Sequence, residues 1–282
     1  PELQAFTLIK NEHEELNSTT RFITGYIDSG TFGNVYKVYH PRAQREEAVK
    51  VVRFVDKRGK RLSDSKRIER LRSQLDEAEV MLKLGLHPNI VAIRGIQLLR
   101  SMQDPNGEAV ADNLYVFIDY VEEGMTLAKC VETLDMELET KSRLAFDIAQ
   151  GLEYIRRCFP NYEFTHCDLK PDNVLVECTR DVDRALIPNR AKISDFGVAM
   201  TPAYASPETV QWFGTKYAAK SQHQWSWATT FLAMILGDCR WTDHAGAVRE
   251  LEKQLESVSQ LGDNDGSLFL SCLHLCSGCM NA

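Results

Sequence analysis

The sequence feature that most constrains this chain is the stretch from Phe164 to Asn173, which reads F-T-H-C-D-L-K-P-D-N. It places a carboxylate, an ammonium group and an amide close together, on Asp168, Lys170 and Asn173. A second carboxylate follows at Asp195, in the tripeptide D-F-G. Phosphoryl transfer needs such groups: a carboxylate at the attacking hydroxyl, a cation for the moving phosphate and oxygen ligands for Mg²⁺. The two motifs together therefore predict a phosphotransfer site.

The order H-x-D-L-K-P-x-N followed by D-F-G resembles that of the eukaryotic-type protein kinases. An ordered set of motifs is more specific than a single one, and the resemblance extends from about Phe22 to about Leu275. It implies an α+β fold of two lobes, a small antiparallel β-sheet lobe and a larger α-helical lobe, with a ligand cleft between them. We expect residues 1–20 to form an N-terminal extension, 21–121 the N-lobe and hinge, and 122–282 the C-lobe, truncated before the family's last helix.

The resemblance implies a role for each polar residue of the two motifs. Asp168 would accept the proton of the attacking hydroxyl, and Lys170 would lie over the γ-phosphate of ATP. Asn173 and Asp195 would bind Mg²⁺. His166 would brace the loop rather than take part in the chemistry. These residues form a complete catalytic set.

The segment I-D-S-G-T-F-G-N-V, residues 27–35, predicts two strands joined by a tight turn. Gly30 and Gly33 would let backbone amides approach phosphates closely. The family has a glycine where this chain has Asp28, and that carboxylate would lie on the ribose side of the nucleotide. There it would either repel phosphate or hydrogen-bond the sugar. A plain hairpin without a ligand is the alternative for this segment.

The next strand supplies a lysine for the nucleotide. Lys50 follows Ala48 by two positions, and the resemblance implies that it pairs with the α- and β-phosphates. Val35 and Ala48 would cover the adenine from above. A surface lysine without a function is the weaker alternative, because the spacing from Ala48 matches that of the family.

A helix predicted from residue 65 to residue 86 would supply the glutamate that pairs with the strand lysine. Glu77 and Glu79 both qualify, and Glu77 is preferred because apolar residues follow it at offsets that place them on one face, which the lobe would bury. Those residues are Val80, Met81 and Leu84. The helix itself is predicted from apolar residues at helical spacing, namely Ile68, Leu71, Leu75, Ala78 and Leu82.

Residues 114–124, L-Y-V-F-I-D-Y-V-E-E-G, predict a buried strand that runs into a polar turn. The segment resembles the hinge that holds adenine in the family. Ile118 would be the gatekeeper, while the carbonyl of Asp119 and the amide and carbonyl of Val121 would hydrogen-bond the base. Leu175, on the short strand after the catalytic motif, would form the floor under the adenine.

Two departures from the family pattern bear on regulation. Cys167 stands where the family usually has an arginine that grips a phosphorylated activation loop, and a thiol cannot make that contact. Only three residues separate Gly197 from Thr201, so the phosphorylatable part of that loop is missing. Thr201 would hydrogen-bond Asp168 and Lys170, which is a feature of serine/threonine kinases. We expect activity without activation-loop phosphorylation, with control by another domain, a partner or abundance.

A third departure is His223, which replaces the aspartate of the family's D-x-W-S-x-G pattern. That aspartate usually fixes the backbone of the catalytic loop. A protonated histidine cannot accept those hydrogen bonds, whereas a neutral one can accept a single bond. The sequence therefore leaves the rigidity of the catalytic loop open.

Composition limits the partners and the compartment. The formal net charge of -7 disfavours nucleic acid, because a phosphate backbone rewards clustered lysine and arginine. No segment reaches the roughly 20 apolar residues that a membrane span needs. The eight cysteines are scattered, as is typical of reduced thiols in a cytoplasmic protein. Near the C-terminus a cluster suggests either a zinc site or, preferably, thiols packed in a buried helix; its members are Cys272, His274, Cys276 and Cys279.

The sequence therefore predicts a serine/threonine protein kinase that uses ATP and Mg²⁺ on protein substrates. Two other functions remain open. A pseudokinase scaffold that binds nucleotide or partners without turnover would explain Asp28 and His223. A kinase for a small molecule would suit the shortened segment after D-F-G, although the intact T-P-x-Y-x-x-P-E favours a peptide substrate.

Overall fold

The computed structural model describes residues 21–30, 33–54, 60, 62–99, 113–160, 164–197, 201, 204–206, 209, 222–237, 244–259 and 274–280. The chain divides into two compact units. The first comprises Pro1–Gly85 and Ala92–Tyr120, and the second comprises Leu86–Val91 and Val121–Ala282.

The first unit contains a five-stranded antiparallel sheet with the strand order β1-β2-β3-β5-β4. Its central strands bury side chains on both faces, because one set of alternating residues packs in each of two apolar clusters. Val49 and Phe117 belong to one cluster, and Val52 and Val116 belong to the other. The strands are β1 (Phe22–Gly30), β2 (Gly33–His40), β3 (Arg45–Arg53), β4 (Ile93–Leu99) and β5 (Asn113–Asp119).

A buried ion cluster fixes the start of β1 against the sheet. Glu47 is fully buried, and its carboxylate accepts hydrogen bonds from Arg21 Nε at 2.6 Å and from Arg45 Nη2 at 2.7 Å. Burial alone would raise the pKa of this carboxyl, but the two guanidinium groups outweigh it and hold the pKa below its ordinary value. The guanidinium of Arg21 also lies 3.8 Å from the centroid of the Phe117 ring. The strand that leads to the predicted phosphate-binding turn is therefore anchored at Arg21, the residue immediately before it.

Helix α1 (Asp64–Leu84) is present where the sequence predicted a helix over residues 65–86. It ends at Gly85, whose φ of +63° closes the last turn through a hydrogen bond from Gly85 N to Met81 O. The buried face is not the predicted one throughout. Leu71 and Ala78 pack inward, but Ile68, Leu75 and Leu82 are exposed. The burial of Met81 and Leu84 shows that the helix rests on the face beside that stripe.

The second unit is mainly helical, with a small antiparallel sheet of order β6-β7-β8. Its strands are β6 (Met125–Thr126), β7 (Val174–Arg180) and β8 (Leu186–Ile193). The helices are α2 (Leu127–Thr133), α3 (Leu138–Cys158), α4 (Gln222–Leu236) and α5 (His244–Ser259), and residues 274–280 are also helical. Helix α3 buries the predicted apolar stripe of Leu144, Ile148, Leu152 and Ile155.

Leu86–Val91 belongs to the second unit, whereas the predicted boundaries place it in the N-lobe. Close backbone contacts account for this assignment. Ile193 N donates to Asn89 O and Val91 N donates to Ile193 O, both at 2.9 Å. Gly151 of α3 makes this approach possible, because a Cβ there would lie 2.8 Å from Ile193 Cδ1 and 3.0 Å from Asn89 O. A side chain at this position would therefore push against backbone.

The outer edge of β8 is occupied by side chains of α3. Arg143 donates to the carbonyls of Pro188, at 2.8 Å, and of Asn189, while Asp147 accepts from Ala191 N at 3.0 Å. Beyond this edge β7 and β8 continue as a long hairpin, which accounts for the charged segment between residues 177 and 190. The exposed edge of a sheet invites pairing with other chains, and these contacts block it here.

A small antiparallel sheet unit and a larger helical unit confirm the predicted two-lobed α+β fold class. Within the described ranges, no helix is both long enough and apolar enough to cross a membrane.

Candidate active site

In the first unit, strand β3 and helix α1 bring a lysine and a glutamate together. Lys50 Nζ lies 3.0 Å from Glu77 Oε2 and 3.3 Å from Glu77 Oε1. Both side chains are largely shielded from solvent, with 22% and 10% of their surface exposed, so their attraction is screened less than that of a surface pair. Glu79 is exposed. The predicted choice of Glu77 over Glu79 as the partner of the lysine is confirmed.

The two strands predicted on either side of the phosphate-binding turn are present as β1 and β2, which pair antiparallel. Gly30 and Gly33 pair with each other at the ends of β1 and β2, and the turn itself, residues 31–32, lies outside the described residues. Asp28 is exposed and lies opposite Val35 in the same ladder. Val35 is half-buried, and Ala48 on β3 is buried. The proposed contacts of these residues with nucleotide stay predictions.

The predicted gatekeeper and hinge residue of the first unit lie at the end of β5. Ile118 is half-buried and pairs with Ala48 and Ile93 of the neighbouring strands. Asp119 is held by its neighbours: its carboxylate accepts from Arg94 Nε at 2.5 Å and from Ala92 N at 3.3 Å, and its own N–H donates to Ala92 O at 2.9 Å. Its carbonyl therefore has a fixed direction.

In the second unit, Val121 and Leu175 were predicted to contact adenine. Val121 is buried, and its carbonyl already accepts a hydrogen bond from Gly124 N at 3.0 Å, which leaves one lone pair for a ligand. Leu175 is half-buried on β7 and pairs with Thr126 of β6. The positions are compatible with the predicted roles.

The catalytic motif holds Asp168 by one of its two carboxylate oxygens. Asp168 Oδ2 accepts from Asn173 Nδ2 at 3.0 Å and lies 3.1 Å from Lys170 Nζ. Asn173 Nδ2 also donates to the carbonyl of Asp168 at 2.8 Å, and Lys170 Nζ donates to Thr201 Oγ1 at 2.7 Å. Oδ1 of the same carboxylate is buried and has no hydrogen-bond partner within the described part of the chain. The predicted contact of Thr201 with this pair is confirmed through Lys170.

The two residues predicted to bind Mg²⁺ are connected through Ser194, which precedes Asp195. Ser194 N and Ser194 Oγ both donate to the carbonyl of Asn173, at 2.9 Å each. Asp195 is exposed and adopts a left-handed backbone with φ of +61°, a strained conformation of the kind that clusters at functional sites. The Nδ2 contacts of Asn173 leave its Oδ1 as an oxygen ligand.

This donor set fits Mg²⁺. Magnesium is usually bound by one or two carboxylates together with substrate phosphates rather than by a cage of protein ligands. The described residues contain no group of three or more histidine, cysteine or acidic side chains that could hold a metal by themselves. One carboxylate and one amide oxygen, on Asp195 and Asn173, are therefore appropriate for a metal that also binds ATP.

Two neutral histidines link the catalytic loop to helix α4 and to the residue before Asp195. His166 N donates to His223 Nε2 at 3.2 Å, and His166 Nε2 lies 3.0 Å from the carbonyl of Ser194, to which it donates. Burial lowers the pKa of His166, and burial together with His166 lowers the pKa of His223 to about 4. A neutral His223 accepts one hydrogen bond, as the sequence analysis allowed. The loop is tied down despite the missing aspartate.

The segment that follows D-F-G, which the resemblance predicts to bind substrate, is partly described. Tyr204 and Ser206 are buried, while residues 198–200 and Glu208 lie outside the described residues. Gln222, at the start of α4, bonds this segment through its amide: Oε1 accepts from Ser206 N at 2.8 Å and Nε2 donates to Tyr204 O at 3.4 Å. Gln222 was not among the residues predicted from the sequence, where its place beside His223 was the signal that could have indicated it.

The cysteines that the sequence singled out differ in environment. Cys167 is half-buried, its thiol donates to Thr165 O at 3.3 Å, and burial and the neighbouring Asp168 raise its pKa. Cys276 is buried within the helix of residues 274–280, where Cys279 is half-buried. Cys272 lies outside the described residues.

Several known proteins are similar to this chain in sequence. Ovarian-specific serine/threonine-protein kinase Lok of Drosophila melanogaster is 26% identical over 259 residues, which is 85% of this chain and 48% of that protein. Serine/threonine-protein kinase SSK22 of Saccharomyces cerevisiae is 25% identical over 240 residues, 77% of this chain and 16% of that protein. Serine/threonine-protein kinase GRIK2 of Arabidopsis thaliana is 28% identical over 174 residues, 56% and 37% respectively. The chain spans less than half the length of these relatives.

A family model described as the protein kinase domain matches residues 23–281. The matched range contains the ion pair of Lys50 and Glu77 as well as the catalytic loop with Asp168, so it includes polar groups from both units. The matched range agrees with the range from about Phe22 to about Leu275 over which the sequence resembles the protein kinases. With nearly the whole sequence matched and those groups in place, this chain belongs to the protein kinase domain family.

Proposed function

We propose that this domain transfers the γ-phosphate of ATP to serine or threonine hydroxyls of protein substrates. The observation that carries the proposal is the asymmetric environment of Asp168. One carboxylate oxygen is held by Asn173 and Lys170, while Oδ1 is buried without a hydrogen-bond partner among the described residues. A buried acceptor without a donor is costly, and a substrate hydroxyl would satisfy it.

The chemistry follows from that arrangement. The hydroxyl oxygen of the substrate forms a bond to the γ-phosphorus, the bond between the γ-phosphorus and the bridging oxygen breaks, and ADP leaves. Asp168 Oδ1 accepts the proton of the hydroxyl, and Lys170 stabilises charge on the transferred phosphoryl group. Lys50, oriented by Glu77, pairs with the α- and β-phosphates. Bound Mg²⁺ neutralises phosphate charge, and Asn173 and Asp195 would hold it.

Serine and threonine are the proposed acceptors for two reasons. Thr201 bonds Lys170 beside the catalytic aspartate, which resembles the arrangement of serine/threonine kinases. The relatives named above are all serine/threonine-protein kinases by name. A phosphoamino-acid analysis of the labelled product tests this choice, and phosphotyrosine as the main product contradicts it.

We further propose that activity does not require phosphorylation after D-F-G. Tyr204 and Ser206 are buried, and the hydroxyl of Thr201 is engaged by Lys170, so a phosphate on any of them would disrupt packing. Cys167 offers no charge to hold such a phosphate. Phosphatase treatment of the purified protein should leave its initial rate unchanged. A large loss that returns when one of these three residues is phosphorylated would contradict the proposal.

Asp168→Asn tests the catalytic role, and Asp172→Asn is the matched control because Asp172 is an exposed acid of the same motif. The first variant should lose about 10²–10⁴-fold in turnover, since it removes the proton acceptor. Its affinity for Mg²⁺-ATP, measured by calorimetry, should stay close to that of the parent. The control should retain both activity and binding. Transfer at the parent rate by Asp168→Asn would refute the assignment.

A scaffold that binds nucleotide or partners without turnover is the second candidate function, and the departure from the family pattern at Asp28 favours it. The Asp28 carboxylate is exposed on the strand that leads to the predicted phosphate-binding turn, where it would either repel phosphate or hydrogen-bond the ribose. Incubation of the parent with labelled ATP and a protein extract distinguishes the two functions. Calorimetric binding of ATP with no transfer to protein would establish this second function.

Control by a partner or by another domain and a cytoplasmic location remain part of the proposal. The six described cysteines form no disulfide with one another, which is compatible with a reducing compartment. Capture of a regulatory partner and imaging of the tagged full-length protein test these two points separately.

A further inference from the structure

Helix α1 carries an exposed apolar row that the proposed phosphotransfer does not use. Ile68, Leu75 and Leu82 are 50%, 42% and 61% exposed, and they follow one another at intervals of seven residues. Seven residues make almost two turns of an α-helix, so the three side chains lie on one side of α1, about 10.5 Å apart. We call this row the α1 stripe.

The α1 stripe lies away from the part of the helix that serves the predicted nucleotide site. Glu77, which pairs with Lys50, lies about 160° around the helix axis from Leu75. A protein bound to the α1 stripe would therefore leave that ion pair in place. Leu71 is half-buried and lies between Ile68 and Leu75, so it extends the apolar surface. A row of large exposed apolar side chains, rather than a single one, indicates an interaction surface.

Two residues of opposite charge flank the α1 stripe along the same edge. Arg72 precedes Leu75 by three positions and Glu79 follows it by four, spacings that place both side chains beside Leu75. Both are exposed, and neither forms an ion pair within the part of the chain that the structure describes. Asp76 and Lys83 lie farther around the helix from the stripe. This edge therefore has one positive and one negative charge available to a partner.

A second copy of α1 in the antiparallel direction complements this pattern. With a twofold axis beside Leu75, Ile68 of one protomer lies level with the partner's Leu82. Arg72 and the partner's Glu79 lie on the same edge, about 4.5 Å and about 6 Å from the axis along the helix, so the two charges meet. Symmetry forms this pair twice. In a parallel pair the same residues would lie on opposite edges of the contact, and the two charges would not meet.

We propose that two copies of this chain associate through α1, as an antiparallel pair of α1 stripes related by a twofold axis. The apolar row is removed from water between the two helices, and the pairs of Arg72 with the partner's Glu79 fix the direction and the register. One helix from each protomer buries less than the roughly 800 Å² per partner of a standard interface. We therefore expect a reversible dimer with a Kd in roughly the micromolar range.

Sedimentation velocity of the whole protein, from about 1 to about 100 µM, measures this association. The parent should change from monomer to dimer over that range. Leu75→Glu should weaken the dimer at least about tenfold, because the twofold axis places the two new carboxylates against each other. Leu275→Glu is the matched control and should associate like the parent, since it makes the same change at a leucine that is 52% exposed on the helix of residues 274–280. A parent that stays monomeric, or Leu75→Glu that dimerises as tightly as the parent, would overturn the proposal.

Reversal of the flanking charges tests the direction of the two helices. Arg72→Glu and Glu79→Arg each convert two attractive contacts into two repulsive ones, so each should weaken the dimer about tenfold. The variant with both changes restores opposite charges at both contacts and should associate like the parent. Circular dichroism checks that the variants are folded. A double variant as weak as the single ones would refute the antiparallel pairing.

Cysteine cross-linking tests the register by a second measurement. Leu75→Cys lies beside the twofold axis, so oxygen with a copper catalyst should join two copies through a disulfide, with the parent as the control for the native cysteines. Leu82→Cys should not join to itself, because its two copies lie about 21 Å apart, beyond the reach of a disulfide. A mixture of Ile68→Cys and Leu82→Cys, carrying tags of different mass, should give the mixed dimer. Absence of the Leu75→Cys product, or an equal yield from Leu82→Cys alone, would contradict the proposed register.

Discussion

Acid is expected to destabilise this protein through His223. The neutral ring accepts the hydrogen bond from His166 N at 3.2 Å, and a proton on Nε2 would replace that acceptor with a second donor. The half-buried ring would also carry a charge within the helical unit, next to His166. Both effects penalise the protonated form in the folded state only.

The magnitude follows from the difference between the two pKa values. The pKa of His223 is lowered to about 4 in the folded protein, whereas an unfolded chain has the ordinary value of about 6.5. The unfolded state therefore takes up the proton first as the pH falls. Stability that is present above about pH 6.5 is lost on acidification, and the loss levels off below about pH 4. At about pH 5 this one group should cost about 2 kcal/mol of the free energy of unfolding.

Urea unfolding followed by circular dichroism, at about pH 7.5 and about pH 5, measures this loss in the parent and in His223→Gln. The glutamine amide oxygen can accept from His166 N and does not titrate. The variant should lose about 2 kcal/mol less than the parent between the two conditions. His166, whose pKa is also lowered by burial, contributes alike to both proteins. Equal losses in parent and variant would refute the argument.

Three further predictions concern the same architecture. Glu77→Gln should lower kcat/KM about tenfold, a loss of about 1.4 kcal/mol in transition-state stabilisation, whereas Glu79→Gln should match the parent; equal values for both variants would deny Glu77 its role. Arg143→Met should lower the free energy of unfolding by about 1–2 kcal/mol, because two carbonyls of β8 lose their donor; an unchanged urea midpoint would contradict this. Gly151→Ala should cost about 1–3 kcal/mol by crowding backbone, whereas Gly278→Ala, with open space around its Cβ, should not destabilise. Equal thermal shifts for the two alanine variants would count against the close contact.

The sequence predicted the local chemistry best. Asp168, Lys170 and Asn173 lie within one short loop, so their order in the chain already brought them together. The choice of Glu77 also succeeded, because the offsets of Met81 and Leu84 identified the buried side of α1. Apolar spacing alone was less informative, since Ile68, Leu75 and Leu82 share a face that turns out to be exposed.

Contacts between distant parts of the chain could not be predicted in this way. The protonation state of His223 depends on burial and on His166, and these two residues are brought together only by the packing of α4 on the catalytic loop. Gln222 bonds Ser206 and Tyr204 for the same reason. The residue types of α4, of the catalytic loop and of the segment after D-F-G do not specify that these parts of the chain contact each other. Propensity and periodicity describe single elements, whereas such contacts depend on how elements pack.

The hairpin of β7 and β8 offers an attachment point for a reporter. At its tip the side chain of Val182 is 98% exposed, and Asp181 fixes the turn by accepting from Asp183 N and Ala185 N at 2.9 and 2.8 Å. At its base Arg143 and Asp147 fasten the strand edge to α3. A dye or a surface linker on Val182→Cys would thus be attached to a hairpin that is fixed at its tip and at its base. None of the proposed catalytic side chains lies on this turn.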